Sequence, residues 1–176
     1  MMRKFIVGTI VTLGASAMVQ AADSGDAETV SRLASSKHTL VEAIRQSEKA
    51  NGSVISAKFE YEDGKLWLGV YAAKNGRAAD AEHNTLIEIK GEPRAAEWNT
   101  ETEVFADKEH LSRSAMQLTL MQLSKASLAD IVMQASAGKY GTPYSAIPEV
   151  KNGKAVVVVL FAASDGKTHA VDVDLR

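Results

Sequence analysis

The chain repeats one pattern at a spacing of about 88 residues, which confines it to folds assembled from two similar units. Ser36-Lys37-His38-Thr39-Leu40 recurs as Ser124-Lys125-Ala126-Ser127-Leu128. Each copy then runs through a helical stretch into a strand that ends at a two-residue turn, Asp63-Gly64 in the first and Asn152-Gly153 in the second. An apolar strand follows, closing at Asn75-Gly76 and at Asp165-Gly166. The last strand of each copy alternates: Leu86-Ile87-Glu88-Ile89-Lys90 and Val171-Asp172-Val173-Asp174-Leu175.

The helical parts carry their own punctuation. Thr39 and Glu42 are spaced as a capping box, and Ser127 with Asp130 repeats the arrangement. Leu40, Ala43, Ile44 and Ser47 form one buried stripe, as do Leu128, Ile131, Val132 and Ala135. Gly52 and Gly138 are expected as left-handed helix stops. Before each capped helix lies another: a modest one over 27–35, and one over 108–124 capped by Asp107. In the latter, Leu111, Ala115, Leu118 and Met121, widened by Met116, Leu120 and Leu123, predict burial between layers.

In the first strand, Ile55, Ala57, Phe59 and Tyr61 alternate with Ser56, Lys58, Glu60 and Glu62. Its counterpart over 144–151 contains Pro148, which cannot donate a ladder bond and predicts an edge position. The apolar run over 155–163 predicts a central strand. The expected fold is therefore α+β: two tandem repeats, each helix-turn-helix followed by a three-stranded antiparallel sheet. One such unit is too thin to shield its own core, so the two should fold together. The expected organisation is 22–90 for the first repeat, 91–107 for a connector containing Pro93, Trp98 and Phe105, and 108–176 for the second.

The first 21 residues read as a secretory signal, with Arg3 and Lys4 ahead of an apolar core and Val19-Gln20-Ala21 as cleavage site. The mature protein would be periplasmic or secreted, without a membrane span. Its formal charge would move from −2 to about −4, arguing against nucleic acid as a partner. With no cysteine, an exported chain must draw its stability from its core.

The capped helix, the Gly stop, the run V-I-S-A-K-F-E-Y-E-D-G-K-L-W-L-G-V-Y and the closing L-I-E-I-K-G-E resemble a PepSY domain. The second copy resembles it less closely, carrying Pro148 and no direct equivalent of Gly52. The resemblance implies a tandem PepSY protein of the bacterial envelope, and such domains restrain peptidases or bind partners. It carries no catalytic signature and no cofactor.

The residues offer little chemistry of their own. No thiol, nucleophile elbow, metalloprotease helix or dinucleotide glycine pattern is present. His38, His83, His110 and His169 are scattered singly, and the best metal candidate, the Asp80–His83 loop, reads better as a solvated insertion; no metal site is assigned. Asp172 and Asp174 lie on one strand face without the acidic Gly loop that calcium needs.

What remains is the second face of the sheet. If Phe59, Ile87 and Val173 face the helices, alternation sends Trp67, Gly69 and Tyr71 the other way, with Val156, Val158 and Leu160 as their counterparts. Lys58, Glu60, Glu88, Lys90, Glu149, Lys151, Asp172 and Asp174 would rim them. An apolar centre with a charged rim fits a partner-binding surface anchored by Trp67, Tyr71, Val156, Val158 and Leu160. The competing reading is internal packing, against the other copy or beneath the connector with Trp98 and Phe105. The expected function is a non-enzymatic binding or regulatory protein engaging a protein or peptide, such as a peptidase, through a sheet face or edge. The alternatives are a small-ligand or metal sensor and a structural dimer.

Overall fold

The computed structural model describes residues 24–176; the signal reading of the first 21 residues lies outside them. Helix α1 (Ser24–Arg32) passes through a 3-10 turn (Leu33–Ser35) toward α2 (Leu40–Asn51). Strands β1 (Ser53–Glu62), β2 (Lys65–Ala73), β3 (Leu86–Gly91) and β4 (Thr100–Val104) follow. Helices α3 (Lys108–Met121) and α4 (Leu128–Ser136) then lead to β5 (Thr142–Lys151), β6 (Lys154–Ala162) and β7 (Thr168–Asp174). No helix among the described residues is long and apolar enough to cross a membrane.

The strands form one seven-stranded antiparallel sheet in the order β4-β3-β2-β1-β5-β6-β7. The seam between its halves is short, with only Ala57↔Ala146 and Lys58↔Ser145 joining β1 to β5. The ladders slip between Val54 and Ser56 in β1 and between Pro143 and Ser145 in β5. Ala57 and Ala146 therefore stand at the same place in their strands, two residues past the slip, and they pair with each other.

Pairing sorts the side chains onto two faces. One row reads Val171–Val159–Ala146–Ala57–Val70–Ile89–Thr102, and every member except the outer two is buried. Against this face lie α2, through Leu40, Ala43 and Ile44, and α4, through Leu128, Ile131 and Val132. The adjacent row, Ala170–Leu160–Ser145–Lys58–Gly69–Lys90–Glu101, belongs to the opposite face. Phe59 and Ile87 do look toward the helices, buried as alternation requires.

The local signals form as their chemistry dictates. Thr39 Oγ1 accepts from the Glu42 amide while the Glu42 carboxylate accepts from the Thr39 amide, closing the capping box. Asp63-Gly64 and Asn152-Gly153 both hold positive φ at each residue, as a type I′ hairpin turn needs. Gly52 ends α2 with φ 92° and ψ −149°, so it is not the left-handed stop expected. A Cβ there would lie 2.4 Å from the Ala73 carbonyl oxygen. At the end of α4 the positive φ belongs to Lys139 rather than Gly138.

Four further expectations are corrected. The strands join in one seven-stranded sheet rather than a three-stranded sheet in each repeat. Strand β5 is interior, not an edge: it lies between β1 and β6. Pro148 is tolerated because it stands beyond the residues that β1 pairs. The segment expected as connector holds β4, which pairs with β3 as the outermost strand; Trp98 and Phe105 are buried, as their apolar character demands. And α3 is not buried all round: Leu118, Leu120 and Met121 are inside, while Leu111, Met116 and Leu123 are exposed. Its inward stripe is rotated to include Ser114 and Gln117.

Candidate functional site

Because β1 and β5 pair over so short a stretch, they part on either side of it, and a helix enters each opening. At one end Thr29 of α1 accepts a hydrogen bond from the Tyr61 amide. At the other, Ser56 Oγ donates to Gln117 Oε1 of α3 at 2.8 Å. Each opening is a cleft. The first, about 390 Å³, is lined by Asp26, Thr29, Lys58, Glu60, Tyr144, Ser145, Ile147 and Leu160 among others. The second, about 260 Å³, is lined by Ser56, Ala57, Lys58, Gly69, Tyr71, Arg113, Gln117 and Ile147. Lys58 and Ile147 belong to both.

The five residues expected to bind a partner all fall on the face away from α2 and α4, but they are not equally available. Trp67 pairs with Glu60 across β1 and is half-buried, with Lys65 and Lys90 ammonium groups 5.6 and 5.4 Å from its ring centroid. Tyr71 is covered: Phe105, just ahead of α3, meets it edge-on with centroids 4.9 Å apart. Internal packing therefore accounts for Tyr71. Val156 is also buried, in a groove walled by Lys151, Lys154, Asp172 and Asp174. Val158 and Leu160 are partly buried, next to partly buried Ile147. On β6 and β7 the packed helix is α4, which lies on the other face, while α3 packs against β5 near Ile147.

Charge surrounds the strip and the seam. Lys58 pairs with Glu60, Lys90 with Glu62 at 2.9 Å, and Lys151 with Asp172 at 2.9 Å. Glu88 has its pKa raised, first by burial, with Glu60 and Glu103 adding like charge. The Tyr71 hydroxyl is pushed up to about 12, mostly by burial and then by Glu88, with Arg113 opposing. Tyr144, 1% exposed, is likewise raised to about 12 by burial and Asp26, and its hydroxyl has no hydrogen-bond partner.

The histidine loop forms a pair rather than a cage: His83 Nδ1 lies 2.7 Å from Asp80 Oδ1. Among the described residues no three His, Cys, Asp or Glu side chains gather as a metal ion would need. Asp172 is engaged by Lys151, and Asp174 accepts from the Arg176 amide.

Two features of the candidate site escape the residue-by-residue reading. The clefts exist because a ladder stops, which no side-chain pattern announces. Gln117, 2% exposed, sits on the stripe of α3 that apolar counting passes over. Compared with known proteins, the chain matches no family model, no curated sequence and no solved structure.

Proposed function

We propose that this protein is an exported, non-enzymatic binding protein, built from two tandem PepSY-like repeats. It engages a protein partner, a peptidase being the leading class, through the β5–β6 half of its open face. The duplication is supported by the self-equivalent pair Ala57↔Ala146, by matched ladder slips, and by clefts that share Lys58 and Ile147.

The observation that carries the binding reading is the strip Ile147–Val158–Leu160. It is partly buried on the face opposite α4, with α3 packed against β5 at its Ile147 end, and it is bordered by Glu149, Lys151 and Asp172. Apolar side chains with a polar border are what a partner displaces water from. The sheet edges are less suited: β4 is fully exposed but carries Glu101 and Glu103, and β7 carries Asp172 and Asp174. Charges of this kind discourage strand addition.

The test is cross-linking in envelope extract by the wild type and by a Val158→Glu/Leu160→Glu double variant. Purified candidate peptidases are then assayed with each protein. The expected result is one peptidase captured and inhibited by the wild type but released from the double variant. Identical capture and inhibition by both would remove the strip from the mechanism.

A further inference from the structure

The two clefts occupy equivalent places at the seam but differ in chemistry. In the first, the position beside Ser145 is Leu160, and Thr29 already receives the Tyr61 amide. In the second, the position beside Ser56 is Tyr71, and the helix contributes Gln117 and Arg113.

The polar groups of the second cleft point to one kind of ligand. Gln117 accepts the Ser56 hydroxyl proton at Oε1, which leaves its Nε2 donors available to a ligand in the cleft, although the residue is 2% exposed. Tyr71 is 6% exposed and lines the same cleft, its ring held by Phe105. Arg113 bonds Glu109 through one nitrogen, leaving further guanidinium N–H groups, and it is close enough to oppose the rise in the Tyr71 pKa. Lys58, paired with Glu60, adds an ammonium group to the wall. Four donor side chains converge, and the one hydroxyl beside them has committed its proton. None of these donors is among the sealed polar atoms, so an acceptor entering the cleft can take the place of water on them.

We propose that this cleft binds a small carboxylate, held by Tyr71 Oη, Gln117 Nε2 and the Arg113 guanidinium, with Lys58 alongside. Orientation follows from the surroundings. Glu88 Oε1 lies 3.0 Å from where a Gly69 Cβ would be, so the Gly69 end repels a carboxylate. The anionic end goes to Arg113 and Gln117, where a guanidinium offers bidentate geometry. The apolar end lies against Ile147 and the Cα of Gly69. At about 260 Å³ the cleft falls below the roughly 300–1,000 Å³ of drug-sized sites, so the ligand is small. This site uses residues other than the Val158–Leu160 strip, and either proposal can fail alone.

The probe is benzoate, with benzamide as neutral isostere and benzylamine as cation, titrated into isotope-labelled protein and followed by amide NMR. Benzoate is expected to shift Gly69, Arg113 and Gln117 while leaving Thr29 and Leu160 of the other cleft unmoved. Benzamide should bind more weakly and benzylamine not at all. Tyr71→Phe keeps the ring on Phe105 and removes one donor, lowering benzoate affinity about five- to tenfold. Gln117→Glu keeps an acceptor for Ser56 and places a carboxylate against the ligand, which should abolish binding. Thermal unfolding of both variants confirms that they fold. The proposal is overturned by benzylamine binding as tightly as benzoate, or by no benzoate shift up to its solubility limit. Shifts centred on the Thr29–Leu160 cleft, or equal benzoate affinity in both variants, would overturn it as well.

Discussion

Arg77 should be worth far more to this fold than its place in a half-exposed loop implies. Its guanidinium donates to the carbonyls of Ala126 at 2.6 Å, Lys125 at 3.2 Å and Met121 at 3.4 Å, bridging the turn between α3 and α4. Gln122 Nε2 answers by donating to the Arg77 and Ala79 carbonyls at 3.0 and 3.2 Å. A hydrogen bond from a charged group is worth about 1.5–3 kcal/mol, and a cation at a helix C-terminus adds about 0.3–1 kcal/mol. Against this stand up to roughly 2 kcal/mol of side-chain entropy and the access of water to carbonyls that Arg77 would vacate. The net for Arg77→Ala is a loss of about 2 kcal/mol, or a fall in Tm of roughly 4–8 °C for a domain of this size. Arg77→Lys keeps the charge but not the fork, and should lose about half as much. Urea unfolding by two probes supplies the measurement, with an unchanged m-value as the sign of a simple stability effect. A double-mutant cycle with Gln122→Ala should return a coupling of at least about 0.5 kcal/mol. Arg77→Ala within about 0.5 kcal/mol of wild type would refute the reasoning, because three carbonyl contacts would then be no better than water.

Two glycines with similar positive φ should behave differently. Gly52→Ala drives a Cβ to 2.4 Å from the Ala73 carbonyl oxygen and should destabilise by at least about 3 kcal/mol, whereas Gly64→Ala meets nothing within 4 Å and should lose only about 1–2 kcal/mol in denaturant titration. Tyr144→Phe should leave stability unchanged or raise it by about 1 kcal/mol, since it removes a buried hydroxyl without a partner. Tyr71 and Tyr144 should ionise only near pH 12, read as tyrosinate absorbance. Both pKa values lie above the ordinary value near 10, so their contribution is complete below about pH 10 and is lost as the pH rises through 12. Unfolding free energy should therefore fall over that window, and fall less in a Tyr71→Phe/Tyr144→Phe double variant.

Much of the fold was legible because its local chemistry is unambiguous. Alternation in β1, the paired positive-φ turns and the Thr39–Glu42 box each have a single structural solution, and each forms. Strand β4 was not legible: Thr100–Val104 is exposed throughout, so no buried face imposes a pattern. Pro148 misled because the rule it obeys concerns the neighbouring strand, and that neighbour stops pairing before reaching it. In α3 apolar counting included Leu111 and Met116, whereas the helix buries Ser114 and Gln117, the latter lining the second cleft. The candidate site was legible only as a face. Alternation identified which side Trp67, Tyr71, Val158 and Leu160 occupy, but burial of Tyr71 depends on Phe105, a neighbour distant in sequence. Arg77 gave no signal at all, since its partners are backbone carbonyls.

The seam gives the duplication reading its physical sense. Small side chains at the self-equivalent pair Ala57 and Ala146 sit where α2 and α4 both reach the sheet, so the halves can meet there without crowding. The ladder is then too short to close the sheet beyond them, and each opening has to be filled by the helix that leads its own half. Filling is imperfect in both, and each half answers the imperfection with different side chains. On the α1 side, Tyr144 is sealed with its hydroxyl unmatched, Leu160 faces the gap and Thr29 is spent on a backbone amide. On the α3 side, the same positions carry a phenol and an amide that keep donors to spare. A buried group without a partner is a stability defect unless something supplies the partner. The first cleft carries that defect where solvent does not reach, and removal of the Tyr144 hydroxyl should relieve it. The second has no such sealed atom; its donors border an open cleft beside two cations, where on the carboxylate proposal a ligand would replace water. If the carboxylate proposal holds, the two ends of the seam differ in role, a plug at one and a binding site at the other. The paired experiments, Tyr144→Phe for stability and Tyr71→Phe for benzoate affinity, should move in opposite directions for that reason.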